Sequence, residues 1–244
     1  MRADLFLSQN GYAKSRSNAR TLIEGGVVFA DGRCVKKASA ELSDGTVIEI
    51  KGDVCPFVSR GGLKLQGALE YFGLDVGGAI CLDVGASTGG FTDCLLQNGA
   101  SAVYAVDCGH GQLDKALSED KRVINIEGIN ARDMTGNLLP EKVDVCTMDV
   151  SFISQILIHP TLPVLLKNGA LYITLIKPQF EVGRANIGKN GIVKSEKAIK
   201  ESIECVCESA VSLGFEKIGV CDSPVLGGDG NREYIGVFRF KGQK

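Results

Sequence analysis

Two charged residues stand where apolar runs of the sequence end. Asp149 closes the apolar part of DVCTMDVSFIS, and Lys177 follows the apolar run in TLIKPQFE. If both runs are parallel strands of one sheet, their side chains lie together at the edge where the carboxyl ends of the strands meet. Water is partly excluded at such a position, and a lysine there can serve as a general base. The pattern therefore predicts proton transfer involving Asp149 and Lys177.

A glycine-rich run earlier in the chain predicts a ligand site. The run LDVGASTGGFTDCLL, residues 82–96, is an apolar stretch followed by a turn with Gly85, Ser87 and Gly89 and by a helix that starts near Gly90. The first strand-to-helix turn of a parallel sheet commonly lets the backbone approach a ligand. The alternative is a tight turn that serves packing only.

Two carboxylates follow the next apolar runs and suggest which ligand the turn binds. Asp107 ends AVYAVD, where a carboxylate can accept hydrogen bonds from both hydroxyls of a ribose. Asp133, in NARDM, is a candidate for binding an adenine amino group, with a solvated loop carboxylate as the alternative. Together with the turn, these residues predict a cofactor that contains adenosine.

The spacing of the glycines separates the possible adenosine cofactors. The run lacks the middle glycine of G-x-G-x-x-G, which brings a pyrophosphate against a helix N-terminus, so a nicotinamide dinucleotide is disfavoured. The pattern D-x-G-x-x-x-G-G-F instead resembles the first motif of class I methyltransferases. The resemblance implies S-adenosylmethionine as the cofactor, bound through Asp83, Gly85, Ser87, Gly89, Gly90, Phe91, Asp107 and Asp133.

The strand-end residues also carry a resemblance that extends over essentially the whole chain. The sequence resembles the TlyA or hemolysin A family, which is similar to the FtsJ-type ribose 2′-O-methyltransferases. Those enzymes use a Lys-Asp-Lys-Glu tetrad, and the members match, in order, SRGGLKL, MDVSFIS, IKPQFE and GNREY. The resemblance implies that the catalytic set is Lys64, Asp149, Lys177 and Glu233.

The family likeness implies in-line transfer of a methyl group to a ribose 2′-oxygen of ribosomal RNA, with cytidine as the implied nucleotide. A 2′-hydroxyl is too weak an acid to react unaided at neutral pH, so a base must take its proton. We expect Lys177 to be that base and Asp149 to orient it. Lys64 and Glu233 are expected to position the ribose or tune the local charge.

The first part of the chain predicts binding to RNA. The stretch ADLFLSQNGYAKSRSNARTLIEGGVVFADGRCVKK resembles the RNA-binding domain of small-subunit ribosomal protein four. Two arginines stand four residues apart on the second predicted helix, hence on one face. Such a basic face suits recognition of RNA shape through phosphates and 2′-hydroxyls, with a solvated helix face as the alternative. The predicted RNA-binding residues are Arg2, Lys14, Arg16, Arg20, Lys36 and Lys37.

The order of helices and strands predicts a doubly wound α/β fold behind a small N-terminal α+β domain. Apolar β-type runs alternate with helical stretches, which is typical of a parallel, Rossmann-like sheet. Strands are predicted at 27–29, 46–50, 79–84, 102–107, 123–126, 143–149 and 170–176, and a terminal hairpin at 215–221 and 234–240. Helices are predicted at 3–10, 15–24, 62–72 and 195–213, with Ser15 as an N-cap.

A short segment with a proline and two glycines, VCPFVSRGG, marks a boundary between two domains. We expect an RNA-binding domain at 1–54, a linker at 55–61 and a methyltransferase domain at 62–244. The TlyA resemblance places a joining stretch at CPFVSR, although its proline and Phe57 leave the family's linker pattern unmatched. The linker's role is therefore left open.

Charge and cysteine content limit the other functional classes. Residues 1–60 carry nine Lys and Arg against seven Asp and Glu, whereas the rest carry 18 against 22, so RNA binding must depend on placement rather than total charge. Nine scattered cysteines without a Cys-x-x-Cys pair predict a reduced, cytoplasmic protein, with a core position for Cys34, Cys81, Cys94 and Cys146. The spacing of His110 and His159 predicts no metal site.

Three alternatives to the methyltransferase remain. A membrane-active hemolysin is disfavoured because the sequence lacks a signal-type apolar segment and a spanning segment. A non-catalytic RNA-binding assembly factor is disfavoured by the full tetrad, and a nicotinamide oxidoreductase by the missing glycine. The expected partners are ribosomal RNA or ribosomal subunits, and the oligomeric state is not predicted.

Overall fold

A small unit of two helices and three short strands begins the chain. The computed structural model describes residues 1–13, 15–51, 55–183, 186–188 and 191–242. Its first elements are α1 (Ala3–Gln9), α2 (Arg16–Glu24), β1 (Val28–Ala30), β2 (Arg33–Cys34) and β3 (Ile48–Ile50). Strand β1 lies between β2 and β3 and is antiparallel to both. The predicted helix pair and short strands are confirmed, and the two-residue β2 is an addition.

Local signals explain where α2 begins and how it packs. The Oγ of Ser15 accepts a hydrogen bond from the backbone N–H of Asn18 at 3.1 Å, which is the predicted N-cap. Leu22 and Ile23 are buried together with Leu7 in a separate small core. One face of α2 therefore packs inward and its charged face is left at the surface.

The larger unit is built on a single sheet to which seven strands contribute among the described residues. The strands are β4 (Ile80–Val84), β5 (Ala102–Asp107), β6 (Val123–Glu127), β7 (Val143–Met148), β8 (Leu166–Ile176), β9 (Phe215–Asp222) and β10 (Tyr234–Phe240). Their order across the sheet is β6-β5-β4-β7-β8-β10-β9. Strands β4 to β8 run parallel, whereas β10 is antiparallel to both β8 and β9. The predicted α/β fold and terminal hairpin are confirmed.

Helices of very different length connect and cover the strands. They are α3 (Gly61–Phe72), α4 (Gly90–Gln97), α5 (Lys115–Ser118), α6 (Pro178–Glu181) and α7 (Glu196–Ser212). Short 3-10 turns occupy Ala131–Asp133, Gln155–Leu157 and His159–Thr161. The long helices α3 and α7 match the predicted ones, and α4 begins at the predicted Gly90.

The strand order reverses at β4, and this reversal positions the functional site. β4 pairs with β5 on one side and with β7 on the other. The strands β5 and β6 therefore extend the sheet in one direction from β4, and the later strands extend it in the other. Asp83 of β4 lies beside Thr147 of β7, and the backbone N–H of Asp149 donates to the carbonyl of Val84 at 2.9 Å. The turn after β4 and the residues after β7 therefore meet, as expected at a topological switch point.

The central strands β4, β5, β7 and β10 are buried on both faces of the sheet, as expected for continuous apolar runs, whereas the edge strands β6 and β9 are largely exposed. One face packs around Tyr172, Phe238 and Met148, and the other around Leu65, Leu95 and Val237. Cys81, Cys94 and Cys146 are buried as predicted, but the prediction for Cys34 is wrong. Cys34 is exposed because it ends the two-residue edge strand β2, which has too few residues to cover its side chain.

Candidate active site

The turn between β4 and α4 brings bare backbone to the switch point. Gly85 and Gly89 have φ of +84° and +95°, in the left-handed region that glycine adopts without strain. A Cβ on Gly85 would collide with the carbonyl oxygen of Asp149, and one on Gly89 with the side chain of Leu117. Both positions therefore require glycine, and the turn can lie directly against the residues that follow β7.

Asp107 holds this turn in shape from the end of β5. Its Oδ2 accepts from the backbone N–H of Ser87 at 2.8 Å, and its Oδ1 accepts from that of Gly109 at 2.7 Å. Ser87 itself has a left-handed φ of +48°, and the bond to Asp107 stabilises that conformation. Because the carboxylate is only half-buried and each oxygen has two lone pairs, Asp107 can still accept hydrogen bonds from a ligand.

Asp83 lies beneath the turn and does not face the open site. Its carboxylate is fully buried and accepts from Thr92 Oγ1 at 2.7 Å and Thr147 Oγ1 at 2.9 Å. Burial raises the pKa of Asp83 to about 6, while the two threonine hydroxyls oppose the increase. Asp83 therefore ties the first turn of α4 to β7, whereas its sequence motif predicts a residue that binds the cofactor.

Lys177 and Asp149 form an ion pair at the carboxyl ends of β8 and β7. Lys177 Nζ is 2.5 Å from Asp149 Oδ1, an oxygen that is buried from solvent. Lys177 Nζ also donates a hydrogen bond to Ser151 Oγ at 2.8 Å. Two neighbours after β7 thus fix the position of the amine.

A second buried pair lies beside the first. Lys64 on α3 donates a hydrogen bond from Nζ to Oε2 of Glu233, just before β10, at 2.6 Å. Both residues are buried, with side-chain exposures of 11% and 3%. A buried lysine with a buried carboxylate partner is stable only as a pair, so each fixes the position of the other.

The two pairs share a cavity with the glycine turn. The cavity has a volume of about 250 Å³, and its lining includes Lys64, Asp149 and Lys177 together with Gly85 and Ser87. Gly90 and Phe91 also line it, whereas Glu233 is next to it through Lys64. Residues that lie far apart in the sequence thus meet around one space, which combines a backbone cradle with two lysines.

The cavity also has walls that the sequence patterns did not predict. They are Thr21 of the N-terminal unit, Ser59 and Arg60 just before α3, Gly61 as the first residue of α3, Ser151 after β7, and Leu226 in the β9–β10 connection. Thr21 Oγ1 donates to the carbonyl of Val58 at 3.1 Å, which joins α2 to the segment before α3. Neither the spacing nor the residue types of these positions signals a site, because they meet only through the fold.

Phe152 is an exposed aromatic next to the Lys177 pair. The side chain is 92% exposed, and φ is +64°, a strained value for a residue with a Cβ. Its ring centroid is 5.2 Å from that of Phe180, and Lys177 Nζ is 6.0 Å from the Phe180 ring. The SFIS letters contained the residue, but sequence alone does not indicate that this phenylalanine faces solvent.

Glu181 fastens the loop that carries Ser151 and Phe152. Its carboxylate accepts from Ser154 Oγ at 2.5 Å and from the backbone N–H of Gln155 at 3.0 Å. Burial raises the pKa of Glu181, and the two hydrogen bonds oppose the increase. The loop is thus held to α6 at one end and to Lys177 at the other.

Other predicted residues lie away from the cavity. Asp133 is exposed on a 3-10 turn and is not among the lining residues. Arg2, Arg16 and Arg20 meet at Asp4 in the N-terminal unit. Lys36 and Lys37 are exposed after β2, and Lys14 lies outside the described residues.

The structure bears on metals and membranes as well. In the described ranges, His, Cys, Asp and Glu side chains form no group of three or more that could hold a metal ion. His159 is buried beside Ser209 Oγ at 2.9 Å, and burial lowers its pKa to about 4, so it is a neutral core residue. None of the helices described has both the length and the apolar content to cross a bilayer.

Comparison with known proteins identifies the family. The FtsJ-like methyltransferase family matches residues 57–240, and the S4 domain matches residues 1–48. Hemolysin A of Brachyspira hyodysenteriae is 40% identical over 239 residues, which are 98% of this chain and 99% of that protein. The 16S/23S rRNA (cytidine-2′-O)-methyltransferase TlyA of Mycobacterium tuberculosis is 42% identical over 235 residues, which are 96% of this chain and 88% of that protein.

A solved structure agrees with these matches. A Streptococcus thermophilus protein that carries the hemolysin name superposes with a TM-score of 0.79 at 40% identity, covering 99% of this chain and 88% of that one. The matched 99% of the chain includes both units. The chain therefore belongs to the FtsJ-like methyltransferase family and, within it, to the TlyA and hemolysin A proteins that join an S4 domain to the methyltransferase domain.

Proposed function

We propose that this protein transfers the methyl group of S-adenosylmethionine to a ribose 2′-hydroxyl of ribosomal RNA, with cytidine as the target nucleotide. The observation that carries the proposal is the single cavity that combines the glycine turn with the Lys64–Glu233 and Lys177–Asp149 pairs. The curated relative from Mycobacterium tuberculosis is named for 2′-O-methylation of cytidine in 16S and 23S rRNA, which supports the choice of substrate.

The glycine turn fits an adenosine cofactor that has no phosphate. Gly85 leaves backbone exposed to the cavity, and Asp107 retains lone pairs that suit ribose hydroxyls. We assign the cofactor to Gly85, Ser87, Gly89, Gly90 and Phe91, with Asp107 on the ribose. Asp83 acts from below as a positioning residue, and Asp133 is the candidate for the adenine. When bound, S-adenosylmethionine supplies a methyl group on a positively charged sulfur.

Lys177 is the proposed base. In its neutral amine form, Nζ would take the proton of the 2′-hydroxyl as that oxygen accepts the methyl group. Bound S-adenosylmethionine would supply the methyl group, and its sulfur would keep the electron pair of the broken carbon–sulfur bond. Asp149 and Ser151 position Nζ, because both lie within 2.8 Å of it. Lys64, held by Glu233, is placed to bind the ribose oxygens of the target. Orientation of the two reactants supplies much of the rate increase.

Phe152 favours a nucleotide that is turned out of an RNA stack. A phenylalanine that is 92% exposed beside the ion pair offers a flat apolar surface. Nucleobases of any type can stack on such a surface, so the contact depends little on sequence. The ribose of a nucleotide inside folded RNA can reach the buried amine of Lys177 only if that nucleotide is displaced from its stack. The exposed ring of Phe152 thus supports a structured RNA, such as ribosomal RNA, as the substrate.

We also propose the boundaries of the domains and the cellular location of the protein. The RNA-binding domain spans 1–54, the linker 55–61 and the methyltransferase domain 62–244. An enzyme that modifies ribosomal RNA or ribosomal subunits works where these are present, in the cytoplasm.

The test is transfer of labelled methyl groups from S-adenosylmethionine to unmodified ribosomal subunits, followed by mapping of the modified nucleotide. We expect label on a cytidine 2′-oxygen for the wild type and a loss of at least about 100-fold in rate for Lys177→Met, because general-base catalysis contributes about 10² to 10⁴. Lys167→Met is the matched control, since Lys167 forms a surface pair with Asp144 and should leave the rate unchanged.

Two outcomes would point to the alternatives. A folded wild type that binds the cofactor and subunits but transfers no methyl group would favour a non-catalytic assembly factor. Release of haemoglobin from red cells by the purified protein, at concentrations where Lys177→Met acts equally, would support a membrane-active hemolysin instead. Failure to bind S-adenosylmethionine would contradict the proposal itself.

A further inference from the structure

Three arginines of the N-terminal unit converge on one buried carboxylate. Asp4, at the start of α1, has a side chain with no solvent exposure. Its Oδ1 lies 3.0 Å from Arg2 Nε, and its Oδ2 lies 3.0 Å from Arg16 Nη2 and 3.2 Å from Arg20 Nε. Asp4 lies in the first turn of α1, and its carboxylate is covered by guanidinium groups.

The arginines themselves remain open to solvent. Their side chains are 45%, 50% and 53% exposed for Arg2, Arg16 and Arg20. Each guanidinium has five N–H donors, and Asp4 takes two from Arg2 and one each from the others. The cluster thus carries a net charge of +2 and presents unused donors in a fixed arrangement, which is what a phosphate oxygen requires.

We propose that Asp4 is a positioning residue that orders Arg2, Arg16 and Arg20 into one phosphate-binding array, so that the RNA meets guanidinium groups already held in place. This inference rests on the proposed function, because it takes RNA as the partner. A free arginine loses side-chain entropy when a ligand immobilises it. Asp4 removes part of that cost before the RNA arrives.

The array is fixed with respect to the active-site cavity. Arg16 and Arg20 lie on α2, and the next residue, Thr21, lines the cavity and donates to the carbonyl of Val58. An RNA backbone gripped by the array is therefore held at a set distance from Lys177. Ordered arginines on this helix would position the substrate as well as attract it.

Simple electrostatics and positioning predict opposite results for Asp4→Asn. If the arginines act only as charges, removing a carboxylate raises the positive charge and tightens RNA binding. If Asp4 orders them, the same change releases three side chains and weakens binding. We expect a dissociation constant for unmodified ribosomal subunits that is about tenfold higher, the equivalent of ordering one or two arginines.

Asp44→Asn is the matched control, because it removes one negative charge from an exposed position in the same domain. Dissociation constants for wild type and both variants are measured between about 50 and 200 mM salt, with methyl transfer at saturating subunits. We expect Asp4→Asn to bind more weakly and to lose part of its rate at saturating subunits, because the bound RNA is positioned less well. We expect Asp44→Asn to bind as tightly as the wild type or more so. A folded Asp4→Asn that binds as well as the wild type overturns the inference.

Arg16→Lys decides the matter if Asp4→Asn does not fold, which circular dichroism will reveal. The lysine keeps the charge but lacks the planar fork that shares one oxygen with Arg20. Weaker binding with an unchanged salt dependence supports the array, and binding equal to wild type overturns it. A wild type that neither binds nor methylates subunits contradicts the proposed function instead, so the two failures are distinguishable.

Discussion

At the scale of single residues, the site depends on side chains that have partners on one side and open space on the other. Lys177 is held by Asp149 and Ser151 and faces the cavity, and Phe152 contacts Phe180 while most of its surface meets solvent. An aromatic side chain that is almost fully exposed, in a strained backbone conformation, gains little stability from burial in the free protein. Its contribution is expected in the complex with RNA.

We expect Phe152→Ala to weaken the use of RNA without weakening the fold. Stacking of a base on an aromatic side chain contributes about 1–3 kcal/mol, so kcat/KM for ribosomal subunits should fall by about 5- to 150-fold. The thermal midpoint should stay the same or rise, because a ring that is 92% exposed contributes almost no buried apolar area that the substitution could remove.

Methyl transfer kinetics and thermal unfolding of the variant provide the measurement. Leu157→Ala is the control, since Leu157 is 55% exposed in the same region and has no aromatic ring. Equal kcat/KM for wild type and Phe152→Ala would remove the stacking role, and recovery in Phe152→Tyr would support it.

At the scale of elements, strand ends were predictable and loops were not. Asp107, Asp149 and Lys177 end apolar runs, and parallel strands must bring such ends to one edge, so their meeting follows from the pattern. The left-handed turn at Phe152 and the bonds from Glu181 to the same loop have no such periodic signal. These loops are fixed by tertiary side-chain contacts, which leave no periodic pattern in the sequence.

The arginine cluster shows the same limit. The spacing of Arg16 and Arg20 predicts one helix face, and that face exists. Their common partner, Asp4, lies on a different helix, and nothing in the spacing connects them. Asp83 was similarly identified by its motif, yet its burial depends on β7, so its role beneath the turn could not be predicted from the motif.

We expect Glu181→Ala to disturb the loop rather than the cofactor site. The change leaves Ser154 Oγ and the backbone N–H of Gln155 without their acceptor, so the loop that positions Ser151 loosens. The turnover number should fall by about tenfold, as one hydrogen-bonded restraint of about 1.4 kcal/mol is lost. S-adenosylmethionine should bind as in the wild type.

Calorimetric cofactor binding and single-turnover methyl transfer separate these effects. Glu181→Gln keeps one acceptor oxygen and should recover part of the rate. Glu201→Ala, on the exposed face of α7, serves as the control. A Glu181→Ala variant that loses cofactor affinity as much as rate would contradict the loop assignment.

At the scale of the whole molecule, the two units contain buried carboxylates with opposite responses to acid. Three guanidinium groups, that of Arg2 foremost, hold the pKa of Asp4 far below its usual range, whereas burial raises the pKa of Asp83 to about 6. The ionised form of Asp4 is favoured by folding, so its stabilisation is present above about pH 4 and is lost as the pH falls further. The protonated form of Asp83 is favoured by folding, so stability decreases as the pH rises from about 4 to about 6.

We therefore expect acid to strengthen the methyltransferase domain before it weakens the N-terminal unit. Since the chain has no tryptophan, Phe29→Trp and Phe72→Trp can report separately on the two units during urea unfolding. From pH 7 to pH 4, the free energy of unfolding seen by the Phe72→Trp probe should gain up to about 3 kcal/mol relative to the same protein with Asp83→Asn. Below pH 4, the advantage of Asp4 over Asp4→Asn, seen by the Phe29→Trp probe, should shrink. If both probes instead lose stability together from pH 7 downward, and Asp83→Asn does not change the slope, the carboxylate of Asp83 is not the buried acid that the structure describes.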